Sequence, residues 1–124
     1  MSNPHQASGL ERRDHGTVKV LRIKLPMLRD DAETEALFQQ AEQILAGEGR
    51  NRLVLDCEEV KYLASRGLGR LVGLLNRARA AGGRLVLCAV PRPLEELLRI
   101  SRLSHLLLNY RDVDEAVRSF GAVG

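Results

Sequence analysis

In "KYLASRGLGRL", Lys61 to Leu71, Ser65 stands between the apolar run "RLVLDC" and a segment of helical periodicity. A hydroxyl at such a strand-to-helix junction can be a nucleophile, a phosphorylation site, an ordinary helix cap or the remnant of a switch. Nucleophilic catalysis needs a general base within hydrogen-bond reach and a third group to orient it. The histidines are His5 in the N-terminal tail, His15 in a turn and His105 before the last strand, all remote from Ser65 in sequence. The turn "ASRG" also lacks the G-x-S-x-G elbow, so no catalytic residue is expected. Metal ligation would need C-x-x-C, H-x-x-x-H or clustered carboxylates, and nucleotide binding a fuller glycine run than the Gly67 and Gly69 of "SRGLG". No metal and no cofactor is implied. Ser65 can cap the orphan N–H groups of the helix, a contribution of about 1 kcal/mol. It can equally carry a phosphate there, because the added charge would meet the positive helix end with Arg66 beside it. Spacing alone leaves these two open.

The chain has 124 residues, enough for one domain with a sizeable core. Residues 1–9, "MSNPHQASG", are small and polar and predict a loose tail before a single domain over 10–124. Aromatic residues are only 3% of the chain, so aliphatic side chains must do the packing. The net charge of +3 comes with no long basic block and few stacking aromatics, which argues against nucleic acid as a partner. Cys57 and Cys88 each end a run that reads as a buried strand, and two free thiols packed as small hydrophobes is the simplest account. No leader and no apolar run of membrane-spanning length is present, so a cytoplasmic protein without membrane insertion is expected.

The elements that must position Ser65 follow from periodicity. "LERRD", a turn at His15-Gly16 and "TVKVLRIKL" read as an edge hairpin, with Val18 and Val20 and, after a local slip, Leu21, Ile23 and Leu25 pointing mostly one way. Asp30 or Asp31 can cap a helix from Ala32 to about Ala46, with Leu37, Ala41, Ile44 and Leu45 inward and Gly47 and Gly49 at its end. "RLVLDC" and "RLVLCAV" are buried strands on either side of a helix over Ser65–Ala81 that Gly82-Gly83 terminates. "PRPLEELLRI" predicts a helix opened by Pro93, "HLLLNY" a strand, and "DVDEAVRSF" a last helix capped by Asp112. The order β-β-α-β-α-β-α-β-α predicts an α/β domain. Its single mixed sheet is mainly parallel, with an N-terminal antiparallel hairpin and about four helices.

Within the Ser65 helix, Leu68, Leu71, Val72, Leu75 and Ala78 form the inward stripe. Arg66, Gly69, Arg70, Gly73 and Arg77 then fall on the outer side, and two interior glycines, each about 1 kcal/mol worse than Ala, leave a groove flanked by Arg. A solvated face with incidental glycines is the plainer account of the same pattern.

Taken in order, "LVLD", "ASRGLG", "RARAAGG", "RLVLCAV", "ISRLSHLL" and "DEAVRSF" resemble the STAS domain of bacterial anti-sigma-factor antagonists over about seventy residues. In that family a buried strand ending in Asp precedes a D-S-[ST]-G-L-G turn and a helix ending in GG. The resemblance implies a non-enzymatic regulator whose partner is an anti-sigma factor or related serine kinase. In such antagonists the kinase phosphorylates the serine after the Asp, and the unphosphorylated form binds the anti-sigma factor and frees sigma. By position that serine is Ser65. With the Ser65 turn of the resemblance and the outer side of the helix taken together, the expected docking surface comprises Ala64, Ser65, Arg66, Gly67, Gly69, Arg70, Gly73 and Arg77. Ala64 stands where the family has Asp and Arg66 where it has a small hydroxyl residue, and the G-E-L-D turn of the first half appears as "PMLRD". Ala64 and Arg66 favour the alternative of a constitutive STAS scaffold or transporter-associated module without the switch. Homodimerisation through the N-terminal hairpin stays open.

Overall fold

The continuous aliphatic runs of the chain require strands covered on both faces, and the computed structural model, which describes residues 9–47 and 52–121, meets that requirement with two helical layers on one sheet. Strands β1 (Leu10–His15) and β2 (Val18–Ile23) form the antiparallel hairpin. β3 (Met27–Leu28) precedes helix α1 (Ala32–Gly47), and β4 (Arg52–Asp56) and β5 (Tyr62–Leu63) precede α2 (Ser65–Ala80). β6 (Arg84–Cys88), α3 (Arg92–Ile100), β7 (Asn109–Tyr110) and α4 (Val113–Arg118) complete the order. The main sheet runs β1-β2-β4-β6-β7 and is parallel from β2 onward. Leu53, Leu55, Leu85 and Leu87 pack with the apolar stripes of α1, α2 and α3. Val54, Val86 and Cys88 face the other way, against Ala116, Val113 and Val117 of α4.

This two-sided burial corrects the expected slip in β2. Val18 and Val20 belong to the α4 side, while Leu21 and Ile23 belong to the side of α1–α3. Strict alternation holds, and both sets are buried because each face has a cover. Lys19 is buried with them, its Nζ donating to the Ile44 carbonyl at 3.4 Å.

Other expectations shift by a residue or more. The hairpin turn lies at Gly16-Thr17 rather than His15-Gly16, with Gly16 at φ +62°. The strand expected over "HLLLNY" shrinks to Asn109–Tyr110, since Leu106 and Leu108 are exposed and only Leu107 is buried. Phe38 and Leu74, absent from the expected helical stripes, are among the largest fully buried side chains. In "PMLRD", matched to a turn in the resemblance, Met27 and Leu28 pair in parallel with Tyr62 and Leu63 in a second, two-stranded sheet. Gly9 belongs to the fold rather than to the tail, because its carbonyl accepts the Lys24 N–H. The rest of the expected tail, residues 1–8 with His5, and the expected helix end at Gly49 lie outside the described residues. Among the described residues no helix is long and apolar enough to cross a membrane.

The caps at Asp31 and Asp112 form as the sequence predicts. Asp31 accepts the Thr34 N–H at 2.9 Å and Asp112 the Glu115 N–H at 2.9 Å. The bond from the Thr34 backbone holds the Asp31 carboxyl below its ordinary value of 3.8, and the bond from the Glu115 backbone does the same for Asp112. A depressed carboxyl contributes its stability above the unfolded value and loses it as pH falls through the lower folded value. The gap in melting temperature between the wild type and D31N/D112N is therefore expected to narrow as pH falls through and below the ordinary value of 3.8. A gap that is constant with pH would show that these charges do not stabilise the helices.

Candidate functional site

Sheet and small sheet together set where α2 begins. β4 ends at the buried Asp56, a turn closes from Val60 N–H to the Cys57 carbonyl at 3.0 Å, and β5 leads into Ala64. Ala64 N–H donates to the Leu28 carbonyl at 2.9 Å, and its own carbonyl accepts the Leu68 N–H at 3.0 Å. Ala64 is thus the N-cap, and it has no side chain that could accept a hydrogen bond. Ser65 is the first helical residue, so of the roles that its spacing leaves open it does not fill that of the cap. It is exposed, and no acidic residue occupies the first turn of α2. The first N–H groups of a helix lack intrahelical partners and carry its positive end, so this terminus is left without side-chain compensation.

The residues expected on one docking surface divide into separate roles. Gly67 is buried, and a Cβ built there would lie 2.7 Å from Leu63 Cδ1 and 3.4 Å from the Leu28 carbonyl oxygen. Its lack of a side chain lets α2 sit down on the β3–β5 sheet. Arg70 turns inward to α1, with its guanidinium 3.1 Å from Glu35, 3.2 Å from Glu42 and 5.8 Å above the Phe38 ring. It fastens two helices together. Gly69 and Gly73 have nothing within 4 Å of an added Cβ, so the groove they make is open. Arg77 is exposed and only 3.8 Å from the shared Glu42.

Arg66 is 70% exposed and pairs with Asp30 at 3.2 Å, an exposed pair of small energetic value. The pair spans the mouth of a cavity of about 310 Å³ between the N-terminal ends of α1 and α2, bordered by Arg29, Thr34 and Arg70 as well. Sequence reasoning missed the two side chains next to this site that look most like contact residues. Met27 and Tyr62 are directly opposite one another in the small sheet and are 37% and 49% exposed. Tyr62 carried a signal, being one of few aromatics and lying in the quoted turn; Met27 carried none until β3 paired with β5.

The remaining reactive groups lie elsewhere. Cys57 and Cys88 are free and buried, on opposite faces of the sheet. Burial pushes both thiols up, Cys88 to about 12, which keeps them protonated and unreactive. His15 ends β1 and His105 lies in the segment before β7.

Solved structures with this fold include an anti-sigma-factor antagonist (STAS) domain protein of Planctomyces limnophilus, 18% identical with a TM-score of 0.77 over 89% of this chain and 96% of that one. The phosphorylated form of the Bacillus cell fate determinant SpoIIAA is 16% identical, with a TM-score of 0.67 over 90% and 99%. The murine anion transporter Slc26a9 is 17% identical, with a TM-score of 0.68 over 81% of this chain and 17% of its own. At these identities the likeness is one of fold. The family model described as the STAS domain matches residues 10–116, and the chain belongs to that family.

Proposed function

We propose that this STAS domain is a non-enzymatic, cytoplasmic regulator that docks an anti-sigma factor or related serine kinase through the Ser65 turn and the open side of α2. The observation that carries the reading is the exposed Ser65 at the uncompensated first turn of α2, in a chain of the STAS family. Met27 and Tyr62 supply apolar contact area beside it, and Gly69 and Gly73 allow a partner to approach the helix backbone. Phosphorylation of Ser65 would place a dianion in the middle of that surface and switch the contact.

Gly73→Leu tests the surface, because an added Cβ there meets nothing within 4 Å. Titration calorimetry against the host's anti-sigma kinases is expected to show affinity weakened about tenfold or more, as for an obstructed interface centre. Unchanged affinity would remove this side of α2 from the interface.

A second reading, a constitutive scaffold or transporter-associated module, is favoured by Ala64 and by Arg66 held on Asp30. Intact-mass measurement of the protein from its own host separates the two. Added phosphate that is absent in Ser65→Ala supports the switch, and an unmodified serine under several growth conditions supports the constitutive module.

A further inference from the structure

The far edge of the sheet carries a second feature, unconnected with Ser65. β7 is only two residues long, so it pairs with the end of β6 and leaves the beginning, paired with β4 on its inner side, without a strand on its outer side. The backbone of Cys88 faces β4, as its carbonyl bond to the Cys57 N–H shows, while that of Leu87 faces β7 and donates to the Leu108 carbonyl at 2.8 Å. Backbone direction alternates along a strand, so Leu85 faces the same way as Leu87. Among the described residues Leu85 has no backbone bond on that side. The segment before β7 diverges from β6 there and opens a cleft of about 380 Å³.

The floor of this cleft is Leu75 and Leu85, and its outer lip is Leu106 and Leu108, which are 38% and 42% exposed. Arg79, Arg84 and His105 are its polar lining, and no carboxylate lines it. Arg84 is steadied from behind, over the Phe120 ring at 4.9 Å and bonded to the Ser119 hydroxyl at 3.2 Å, and a guanidinium has further donors to offer.

We infer that this cleft docks an extended segment of a partner protein in which acidic and aliphatic residues alternate, added alongside the beginning of β6. Leu85 is 2% exposed, so the segment reaches its unpaired backbone groups as the exposed lip of Leu106 and Leu108 gives way; the leucines accept the aliphatic side chains, and the arginines fix the sign of the charge. A segment entering an unpaired sheet edge is held by main-chain bonds, with specificity from alternate side chains. A second copy of this chain is disfavoured as occupant, because a symmetric contact would set the same arginines against each other.

The test uses the full chain and a fluorescein-labelled octapeptide of alternating Glu and Val, with the Lys-Val octapeptide as control. Saturable binding of the Glu-Val peptide is expected, with slowed hydrogen exchange at the Leu85 amide. Affinity should fall about tenfold in R79E/R84E, the sum of two partly exposed charge pairs, and that variant should prefer the Lys-Val peptide. Arg79→Glu alone, which leaves the Phe120 contact in place, should give part of the same loss. Absence of binding at about millimolar peptide, far above the range of specific complexes, overturns the proposal. So does binding indifferent to peptide charge, or binding without protection of Leu85. Light scattering that shows concentration-dependent dimers lost in Leu108→Glu would assign the cleft to a second copy and equally overturn it.

Discussion

Phe38→Ala is expected to destabilise the protein by about 3–5 kcal/mol, the range for deleting a buried aromatic side chain. Phe38 is 1% exposed within the cluster formed by α1, α2 and the sheet, and the packing around it is aliphatic. The leucines nearby are held by helices and strands that cannot collapse into a ring-sized void, so both transfer and cavity contributions should be felt. The ring also lies beneath Arg70, the cation that joins Glu35 of α1 to Glu42 of the same helix across from α2. Losing it should therefore loosen the α1–α2 contact in particular. A domain of this size commonly has about 5–15 kcal/mol in total, so the variant should lie near its folding threshold. Urea denaturation read by linear extrapolation checks the value, and Phe38→Leu should recover more than half of the loss. A loss below about 1 kcal/mol for the alanine variant would contradict the packing of α1 on the sheet.

Gly67→Val is expected to cost about 2 kcal/mol, within the range for overpacking a filled site. The built Cβ already lies 2.7 Å from Leu63 Cδ1, and Leu63 is itself buried at 6% exposure, so its side chain has little room to turn away. The Leu28 carbonyl, 3.4 Å from the Cβ, is backbone that accepts the Ala64 N–H and cannot retreat without breaking that bond. Valine adds two methyl groups to a position where one atom is already too many. Alanine at the same position should come closer to neutral, because its helix propensity gains about 1 kcal/mol over glycine and offsets part of the crowding. The comparison variant is Gly69→Ala, where an added Cβ meets nothing within 4 Å and a gain of about 0.5–1 kcal/mol is expected. Denaturation midpoints of these variants should rank Gly69→Ala above wild type and Gly67→Val below it. Equal midpoints would mean that α2 does not rest on the small sheet through Gly67.

This contrast shows where sequence reasoning stopped. In "SRGLG" both glycines are assigned from sequence to one docking surface. The pairing of Met27-Leu28 with Tyr62-Leu63 makes one of them a packing requirement and leaves the other facing open space. That pairing joins segments more than thirty residues apart, and no local pattern in "PMLRD" announces it. Arg70 is similar: helical spacing assigned it to the outer face with Arg66, but its length lets the guanidinium reach back to the carboxylates of α1. Spacing gives a direction for the Cα–Cβ bond, whereas the charged end of a long side chain goes where its partners are.

The sequence by itself determined the order of the principal elements, the caps at Asp31 and Asp112, the parallel sheet with its hairpin, the buried thiols and the family. Each of these rests on local periodicity, local backbone chemistry or an ordered set of motifs, all of which a chain displays before it folds. Only the tertiary structure decided that β2 is buried on both faces, that Ser65 follows the cap instead of being it, and that Met27 and Tyr62 stand together beside it. It alone decided, too, that the beginning of β6 is paired with β4 but has no strand on its outer side. Those features depend on which distant segments meet, and contact between distant segments is set by how the layers close on one another rather than by any stretch of residues read alone.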